Sequence, residues 1–391
     1  MLRIRAAVLA AALVGLTGVA GQLSAQTVFP NVRLQGRLQE QFYYFSNEDY
    51  AATTGPRANF FTRRARIEAR GQINEYVSVY IQPSFEGGRS PASSSCTSTL
   101  DTLANTVSTK CTNGNGGIRL RDAYIDVRLN KPEAATAFTV RFGQEKRPFS
   151  RYELTSSNNL PSIERGAGRG LIASASNDLF TSAGFASHDV GLHARVEHKL
   201  DNAGRMASLL VGVYNGQGES LNDKNDAKSI GVRASADLYQ KLSIGGSFFS
   251  HESILGTDSS FRNSGYDIDA AWSKPGEEGL YAEAEYLGGK DAKLNGAGEK
   301  ISIRGIQAVA AYHIRMKNPT SWLYAIEPAV RFDQADPDTK VDKNGSTLIT
   351  AVLGFYVSSR AQFRVGYESQ SFQASGAKSI SGLRTAMTVN F

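Results

Sequence analysis

Residues 140–169 read VRFGQEKRPFSRYELTSSNNLPSIERGAGR, and they change character partway along. The start continues an alternating strand, in which Phe138, Val140 and Phe142 occupy one face and Arg141 the other. The alternation then stops, and a long polar segment follows. Its cationic residues are Lys146, Arg147, Arg151, Arg165 and Arg169. Such a segment is too rich in charge for a hydrophobic core, so the sequence predicts a strand followed by a long polar loop.

Alternation of the same kind recurs along most of the chain. From Val32 to Tyr44 the even positions form an apolar row that Glu40 interrupts, while the odd positions are mostly polar. A period of two is the signature of a β-strand with one apolar and one polar face. Further segments of this type lie at about 61–70, 77–85, 123–129, 190–197, 206–214, 229–239, 241–250, 265–273, 280–288, 301–314, 321–333, 347–357, 361–371 and 382–391.

The connections between these segments alternate in length. Those near residues 74, 132, 202, 240, 276, 318 and 359 are short, whereas those near 50, 100, 165, 220, 257, 294, 340 and 375 are long. Transmembrane barrels have short periplasmic turns and longer outer loops. Strands in a bilayer must close on themselves, because every backbone amide needs a partner there. The sequence therefore predicts an all-β fold: a transmembrane antiparallel β-barrel of about sixteen strands, with the long third outer loop folded into the lumen.

Aromatic residues cluster where the predicted strands meet the short turns. They are Tyr76, Tyr239, Trp272, Trp322, Tyr356 and Phe391. Such rings favour the membrane–water interface, so these positions predict an aromatic girdle.

The N-terminal residues have the composition of a secretory signal. Arg3 and Arg5 precede an apolar run from residue 6 to residue 20, and small residues follow up to Ala25. We predict cleavage after Ala25, with cleavage after Ala20 as the alternative, so that residues 1–25 are a signal peptide and residues 26–391 a porin-type barrel domain. No later stretch reaches the roughly 18 apolar residues of a membrane helix.

Charge and cysteine content exclude some classes of protein. The formal charge of +6 falls by two, to about +4, when Arg3 and Arg5 are removed, which is too mild for a nucleic-acid binder. Cys96 and Cys111 lie in a segment rich in Ser and Thr. In an exported protein, two cysteines in such a segment predict one disulfide within a surface loop, with two free thiols as the alternative. We expect no metal site and no cofactor.

The polar face of the predicted strands carries arginines at mid-strand. One Arg facing lipid at the bilayer midplane would cost roughly 2–4 kcal/mol, so this face should line a water-filled lumen. The residues predicted to line the pore and guide anions are Arg33, Arg37, Arg64, Arg66, Arg70, Arg141, Lys146, Arg147, Arg151, Arg364 and Arg384. The same parity predicts an opposing acidic wall of Asp267, Asp269, Glu283, Glu285 and Glu327. Opposed arcs of charge would create a field across the channel. A second interpretation stays open, in which each Arg only pairs with a neighbour such as Glu68.

The segment from Phe142 to Arg165, FGQEKRPFSRYELTSSNNLPSIER, resembles the phosphate-selective porin O and P family of Gram-negative outer membranes. The run GQ-x-K-x-PFS-x-x-x-LTSS, followed by a Leu and then IER, is its most specific part. Shorter pieces agree in the same order: RRARIEARG at 63–71, LRDAYID at 120–126, VYNG at 213–216 and EPAVRFD at 327–333. The resemblance implies a trimeric sixteen-stranded porin whose third outer loop enters the channel. It also implies anion guidance by Arg and Lys residues, here Lys146 and Arg147 by motif.

These observations predict an outer-membrane porin for passive diffusion of small hydrophilic solutes, with a preference for small anions such as phosphate. The expected partners are outer-membrane lipid, lipopolysaccharide and further copies of the chain in a homotrimer, with no nucleic acid. One alternative is a structural or adhesion barrel with an occluded lumen. Another is a barrel enzyme, which the five histidines do not favour because they form no recognisable set with a nucleophile.

Overall fold

Sixteen strands close into one antiparallel barrel in the computed structural model of the chain. The structure describes residues 29–46, 57–86, 95–101, 106–112, 118–166, 175–216, 218–219, 226–255, 259–291, 300–318 and 322–391. For residues 95–101, 106–112, 253–255 and 259–260 only the backbone is described. The predicted signal peptide lies outside the described residues.

The described residues form eighteen strands, of which all but β4 and β5 pair in chain order around the barrel, and the first strand pairs with the last. The strands are β1 (Asn31–Phe45), β2 (Ala58–Gln72), β3 (Val77–Ser84), β4 (Ser95–Asp101), β5 (Thr106–Thr112), β6 (Arg119–Arg128), β7 (Thr136–Lys146), β8 (His188–Lys199), β9 (Met206–Tyr214), β10 (Ser229–Asp237), β11 (Leu242–Leu255), β12 (Ser259–Trp272), β13 (Gly279–Asp291), β14 (Ile301–Arg315), β15 (Ala325–Asp336), β16 (Ser346–Ser358), β17 (Ala361–Phe372) and β18 (Ile380–Asn390). The described residues between β7 and β8 include two short helices, α1 (Arg151–Leu154) and α2 (Ser176–Ser182). No helix within the described ranges has the length and apolar character needed to cross a bilayer.

Strands β4 and β5 form a separate hairpin, and β3 therefore pairs with β6. The predicted long loop 86–117 thus contains regular structure that its Ser/Thr-rich composition did not indicate. The backbone register sets Cys96 directly opposite Cys111. Directly opposite positions are close enough for the predicted disulfide, which stays a prediction.

In a soluble protein apolar side chains are mostly buried and charged side chains exposed, and the strands of this barrel show the opposite distribution. Large apolar side chains such as Leu34, Ile268 and Val330 are exposed on the outside, whereas Arg331 and Asp269 are buried inside. This is the distribution expected of a barrel surrounded by lipid.

Most of the predicted girdle residues lie on the outer surface. Exposed rings near the short turns are Tyr76, Tyr239, Trp272, Trp322 and Phe391. Tyr356 is the exception, because it faces inward and its hydroxyl donates to Glu327. Trp322 also precedes β15, which begins at Ala325 rather than at the predicted residue 321.

A register shift in the pairing of β1 with β2 changes which side chains face inward. Gln39 pairs with Arg64 but Glu40 pairs with Thr62, so Arg63 is an extra residue. Beyond this bulge the parity reverses, and Phe61 packs inside the barrel against Tyr43. The simple alternation predicted for 61–70 therefore fails at its first residues, because a bulge puts two residues opposite one.

Candidate solute pathway

The segment between β7 and β8 is bound to inward-facing side chains on several sides of the barrel. Its apolar residues Phe149, Leu179, Phe180 and Phe185 are buried and form one cluster with Phe249 of β11. Other parts contact β1, β13 and β17, as described below. These contacts support the prediction that the segment folds inward.

Two residues at the start of the family-like motif, at the end of β7, have structural roles. Gly143 has φ +142°, and a Cβ there would lie 2.2 Å from the carbonyl oxygen of Ala123, so a side chain is excluded. The amide of Gln144 donates to the carbonyl oxygens of Leu120 and, at 2.8 Å, Arg121. The backbone of β6 is irregular at this level, so these bonds satisfy carbonyls that the ladder leaves open.

The acidic wall binds the start of the segment. The backbone N–H of Ser150 donates to Asp267 at 3.0 Å, and its hydroxyl donates to Glu285 at 2.9 Å. The Arg151 N–H donates to Glu285 at 2.6 Å, and its guanidinium pairs with Asp269 at 2.5 Å. These carboxylates point inward as predicted, but they contact the segment instead of open water.

The carboxylates of the acidic wall also have partners on the barrel strands. Arg233 of β10 donates to Asp267 at 3.2 Å and to Asp269 at 2.6 Å. Glu283 accepts from the hydroxyl of Tyr281. Glu327 contacts His313 at 2.9 Å, in addition to Tyr356. The ligand oxygens of Asp267, Asp269 and Glu285 lie within 4.8 Å of one another, but Arg151, Arg233 and Ser150 already supply positive charge and donors there.

Further along, the segment is fastened to β15 and β17. The N–H and hydroxyl of Ser176 donate to Asp333 at 2.7 and 2.9 Å. Arg331 donates to the carbonyl oxygen of Glu164 at 3.1 Å. Arg364 donates to the carbonyl oxygens of Leu160 and, at 3.3 Å, Ser162. Arginine is well suited to this task, because its five fixed donors can satisfy several carbonyls at once.

Glu164 joins the segment to the arginine-rich side of the barrel interior around β1 and β2, which we call the basic wall. Its carboxylate accepts from Arg63 at 2.8 and 3.0 Å, from Arg64 at 3.4 Å and from Gln41 at 2.7 Å. Burial alone would raise the pKa of Glu164, but the charges of Arg63 and Arg64 outweigh it and hold that pKa well below its usual range. The carboxylate is therefore ionised at neutral pH.

Glu153 of α1 forms a second charged cluster. It pairs with Lys146 and with Arg165, each at 3.4 Å, and its side chain accepts from Asn177 at 3.0 Å. Burial opposes its ionisation, yet the nearby Lys146 and Arg165 lower the pKa of Glu153 to about 2. One carboxylate thus holds two cations at the surface of the cavity described next.

A cavity of about 530 Å³ lies between the segment and the wall formed by β1–β3 and β6–β10. Eleven Arg and Lys side chains and five Asp and Glu side chains line it. Several of the counterions of these cations, including Glu86, Glu164 and Asp126, are not part of the lining. The cavity surface is therefore more positive than the wall as a whole, and we call it the basic cavity.

Six of the predicted anion-guiding residues line the basic cavity. They are Arg37, Arg64, Arg66, Arg70, Arg141 and Lys146. Arg33 lines a second cavity of about 850 Å³ near the short turns. Glu68 and Asn158 border both cavities, so the two adjoin.

The four other predicted residues do not line either cavity. Arg147 is buried and pairs with Asp189 at 2.8 Å, and Arg384 pairs with Glu368 at 2.8 Å. Arg151 and Arg364 hold the inward segment, as described above. Strand parity predicted the inward direction of Arg364 and Arg384, and the loop segment predicted that of Arg147 and Arg151, but neither predicts that all four meet protein groups.

Sequence reasoning missed several residues of the basic cavity. Arg233 and Arg195 follow the inward parity of strands already predicted and could have been included. Arg63 and Arg121 lie at register shifts, which alternation does not reveal. Arg165 of the inward segment also lines the cavity, and an aromatic pair described next was missed as well.

Two stacked tyrosines support two of the lining arginines. The rings of Tyr80 and Tyr124 are 5.2 Å apart. Arg70 lies 5.2 Å from the ring centre of Tyr80, and Arg141 lies 3.6 Å from that of Tyr124. Arg141 also pairs with Asp126, whereas within the described part of the chain no carboxylate forms an ion pair with Arg70. Stacking can hold a guanidinium in place without neutralising it.

The sequence matches the model of one protein family, and the fold matches many solved barrel structures. The sequence profile described as "Phosphate-selective porin O and P" matches residues 32–248. No curated protein matches the sequence significantly.

Three solved structures illustrate the shared fold. The anion-selective porin from Comamonas acidovorans is 12% identical with a TM-score of 0.58, over 92% of this chain and 99% of that chain. The outer membrane channel DcaP of Acinetobacter baumannii is 13% identical with a TM-score of 0.57, over 95% and 100%. OmpT of Vibrio cholerae, in its trimer form, is 10% identical with a TM-score of 0.51, over 92% and 99%.

Proposed function

Since this chain belongs to the phosphate-selective porin O and P family, we propose that it carries small anions passively across the outer membrane through the basic cavity. It is an outer-membrane porin with a closed sixteen-strand barrel. Solutes move down their gradient, and the cationic lining raises the local concentration of anions.

The position of the inward segment is the observation that carries this proposal. Ser150 and Arg151 lie against Asp267, Asp269 and Glu285, so the segment occupies the acidic side of the interior. The basic cavity stays open beside the segment, and Arg and Lys predominate in its lining. The segment thereby covers these three carboxylates and leaves a path that is bordered mainly by cations, which favours anions.

The size of the effect follows from Coulomb's law. One unpaired guanidinium about 6 Å from an anion in water contributes roughly 0.7 kcal/mol, which is about a threefold increase in local concentration. Several such groups act together, and screening by salt reduces their sum.

The solute, the assembly and the export route belong to the same proposal. Phosphate is one candidate among small anions, as the name of the family suggests. A homotrimer surrounded by lipid and lipopolysaccharide agrees with the trimer form of the similar OmpT barrel. Export would use residues 1–25 as a cleaved signal, leaving residues 26–391 as the barrel domain.

Neutralising two arginines of the basic cavity tests the anion preference. Arg66→Gln together with Arg70→Gln should shift the reversal potential in a KCl gradient toward cations, with a several-fold fall in the anion-to-cation permeability ratio. The measurement is planar-bilayer recording with purified protein.

A matched control changes two arginines outside the cavity. Arg262 and Arg304 are exposed on the outer surface, and their replacement by Gln removes the same charge. We expect the control to leave the reversal potential unchanged. Equal shifts in both double variants would contradict guidance by the cavity, and a barrel without measurable conductance would favour an occluded structural role.

A further inference from the structure

Four planar side chains form a stacked column on the wall of the basic cavity. In order along the column they are Arg70, Tyr80, Tyr124 and Arg141, and all four line the cavity. The planes of the two rings are inclined by only 23°, and each guanidinium lies over one of the rings. We call these four residues the aromatic column.

The barrel wall holds the aromatic column in place. The register sets Arg70 of β2 opposite Tyr80 of β3, and Tyr80 opposite Tyr124 of β6. On β7, Gly143 lies opposite Tyr124, and a Cβ at Gly143 would lie 2.8 Å from the Cβ of Tyr124. The glycine of the family-like motif therefore also leaves room for the second ring. Strand pairing, and not a flexible loop, sets the positions of the rings.

The two ends of the aromatic column differ in their partners. Arg141 donates to Asp126 at 2.6 and 2.8 Å and to Glu145 at 2.8 Å, so the edges of its guanidinium are occupied. Arg70 is exposed to the interior space, and no carboxylate in the described part of the chain forms an ion pair with it. A guanidinium is flat and weakly hydrated, so an open one offers a face as well as an edge. The column is closed at Arg141 and open at Arg70.

A second arginine lies beside the open end. Arg33 of β1 is directly opposite Arg70, where the Cβ atoms of paired residues are about 5 Å apart. Arg33 lines the cavity near the short turns and Arg70 lines the basic cavity, so the open end lies where the two cavities meet. The nearby Glu68 already has partners, since it accepts from Gln82 at 2.7 Å and lies 3.9 Å from Arg37.

This arrangement matches an anion that carries a flat ring. A ring lying on the open face of Arg70 would extend the column by one member, through cation–π attraction and stacking. A carboxylate attached to that ring offers two oxygens, which suit the paired N–H donors of a guanidinium such as Arg33. Small inorganic anions can use the second contact but not the first.

We propose that the open end of the aromatic column binds aromatic carboxylates of about the size of benzoate, with the ring on Arg70 and the carboxylate at Arg33. The inference rests on the proposed function and narrows its substrate class. The two adjoining cavities, of about 530 and 850 Å³, have the volumes typical of protein pockets for small organic molecules.

Two carboxylates of matched size test the role of the ring. Benzoate and cyclohexanecarboxylate carry the same charge at neutral pH, but only benzoate has an aromatic face. Each is added during planar-bilayer recording in KCl, and the concentration that halves the chloride current is measured. We expect this concentration to be about fivefold lower for benzoate, the factor typical of one aromatic contact. Equal concentrations for the two acids would overturn the proposal.

Variants of the column test where the ring binds. Arg70→Lys keeps the positive charge but has no flat face, and Tyr80→Leu removes the ring that holds Arg70 flat. In both variants we expect the fivefold advantage of benzoate to disappear, whereas Tyr80→Phe should retain it. The ratio between the two acids is the readout, because a general disturbance of the wall would affect both alike. An advantage that persists in Arg70→Lys and Tyr80→Leu would overturn the proposal.

Two further variants complete the comparison. Tyr286→Leu is the matched control, since Tyr286 is 40% exposed on the outer surface of β13, and the ratio should not change. Arg33→Gln should weaken the block by both acids about threefold, as loss of one nearby charge predicts, and leave their ratio unchanged. An unaltered block by both acids in Arg33→Gln would contradict the assigned position of the carboxylate.

The outcomes separate this inference from the proposed function. A channel that conducts chloride and does not distinguish the two acids would overturn the aromatic site and leave passive anion transport standing. A barrel without current would contradict transport, and calorimetric titration of the purified protein with both acids would then decide the aromatic site. Equal or undetectable binding of both acids in that titration would overturn it.

Discussion

The arginines inside the barrel differ in what their guanidinium groups contact. Arg70 stacks on Tyr80 and lines the basic cavity, whereas Arg364 is buried and donates to backbone carbonyls of the inward segment. Both have the inward parity that the sequence predicts. A guanidinium that is already fully hydrogen-bonded has little capacity left for a solute, so these two residues cannot contribute equally to anion guidance.

Glu164 offers a test of this distinction. Glu164→Gln leaves the guanidinium groups of Arg63 and Arg64 without their shared carboxylate. We expect a more anion-selective channel, because one negative charge beside the cavity is lost. We also expect a loss of stability of about 3 kcal/mol, since breaking a buried ion pair leaves charges uncompensated. Reversal potential and thermal unfolding in detergent measure the two effects.

A control and a pH series complete this test. Glu277 is an exposed carboxylate near the short turns, so Glu277→Gln removes the same charge without affecting stability. The pKa of Glu164 is lowered in the folded protein, so its stabilising contribution is present above the usual Glu pKa and is lost only as pH falls through the lowered value. The difference in stability between the variant and the wild type should therefore persist from pH 7 to about pH 5. A difference that vanishes in that window would contradict the assigned ion pair.

The sequence predicted which side of the barrel wall a residue faces better than it predicted which groups that residue contacts. Alternation correctly turned Arg37 and Asp269 inward, because strand geometry alone sets the side of a residue. It could not indicate that Arg151 would meet Asp269, since these residues are 118 positions apart and come together only in the closed barrel. It also misplaced Phe61, where a bulge shifts the parity.

The helix α1 has only four residues, but together with its N-cap it makes several contacts with the acidic wall. Its N-cap Ser150 has φ 65° and accepts from the Glu153 N–H, while donating to the acidic wall. Arg151 adds two further contacts to that wall. A helix this short is not stable alone, so its position depends on these carboxylates.

Removing the acceptors should release the inward segment. Asp267→Asn with Glu285→Gln weakens the bonds from Ser150 and Arg151, and we expect larger current fluctuations in single-channel recording. Strand content by circular dichroism should not change, because the barrel ladder is intact. Glu283→Gln is the matched control, since Glu283 accepts from Tyr281 of its own strand. Fluctuations as large in the control as in the double variant would show that α1 is held elsewhere.

Elements with a strong period were predictable, and irregular ones were not. Barrel strands such as β17 and β18 match the predicted ranges 361–371 and 382–391 within two residues. The hairpin of β4 and β5 was not predicted, because its sequence is a run of small polar residues without alternation. The helix α2 was missed for a related reason: its seven residues cover only about two turns.

In the molecule as a whole, acidic and basic side chains are concentrated on different parts of the barrel interior. The inward segment covers Asp267, Asp269 and Glu285, and the basic cavity lies where Arg and Lys side chains predominate. Such an arrangement acts on ions over distance, so its effect should depend on screening.

Salt concentration tests this long-range effect. The Debye length falls from about 30 Å at 0.01 M to about 3 Å at 1 M salt. We expect the anion-to-cation permeability ratio to fall toward unity over this range in planar-bilayer recording. Uncharged solutes in liposome swelling provide the control, because their passage should not change with salt. A constant ratio would indicate selection by direct contact at one site.

The seam between β1 and β18 joins parts of the chain that are made at different times. One of its side-chain contacts, from Gln39 to Thr388, spans 349 positions. Pairings between such distant segments form slowly, and unpaired strand edges attract other chains. Synthesis from the N-terminus leaves β1 without its partner until nearly the whole polypeptide exists. We therefore expect biogenesis to require a holding chaperone, and loss of β18 to produce aggregates instead of a smaller pore.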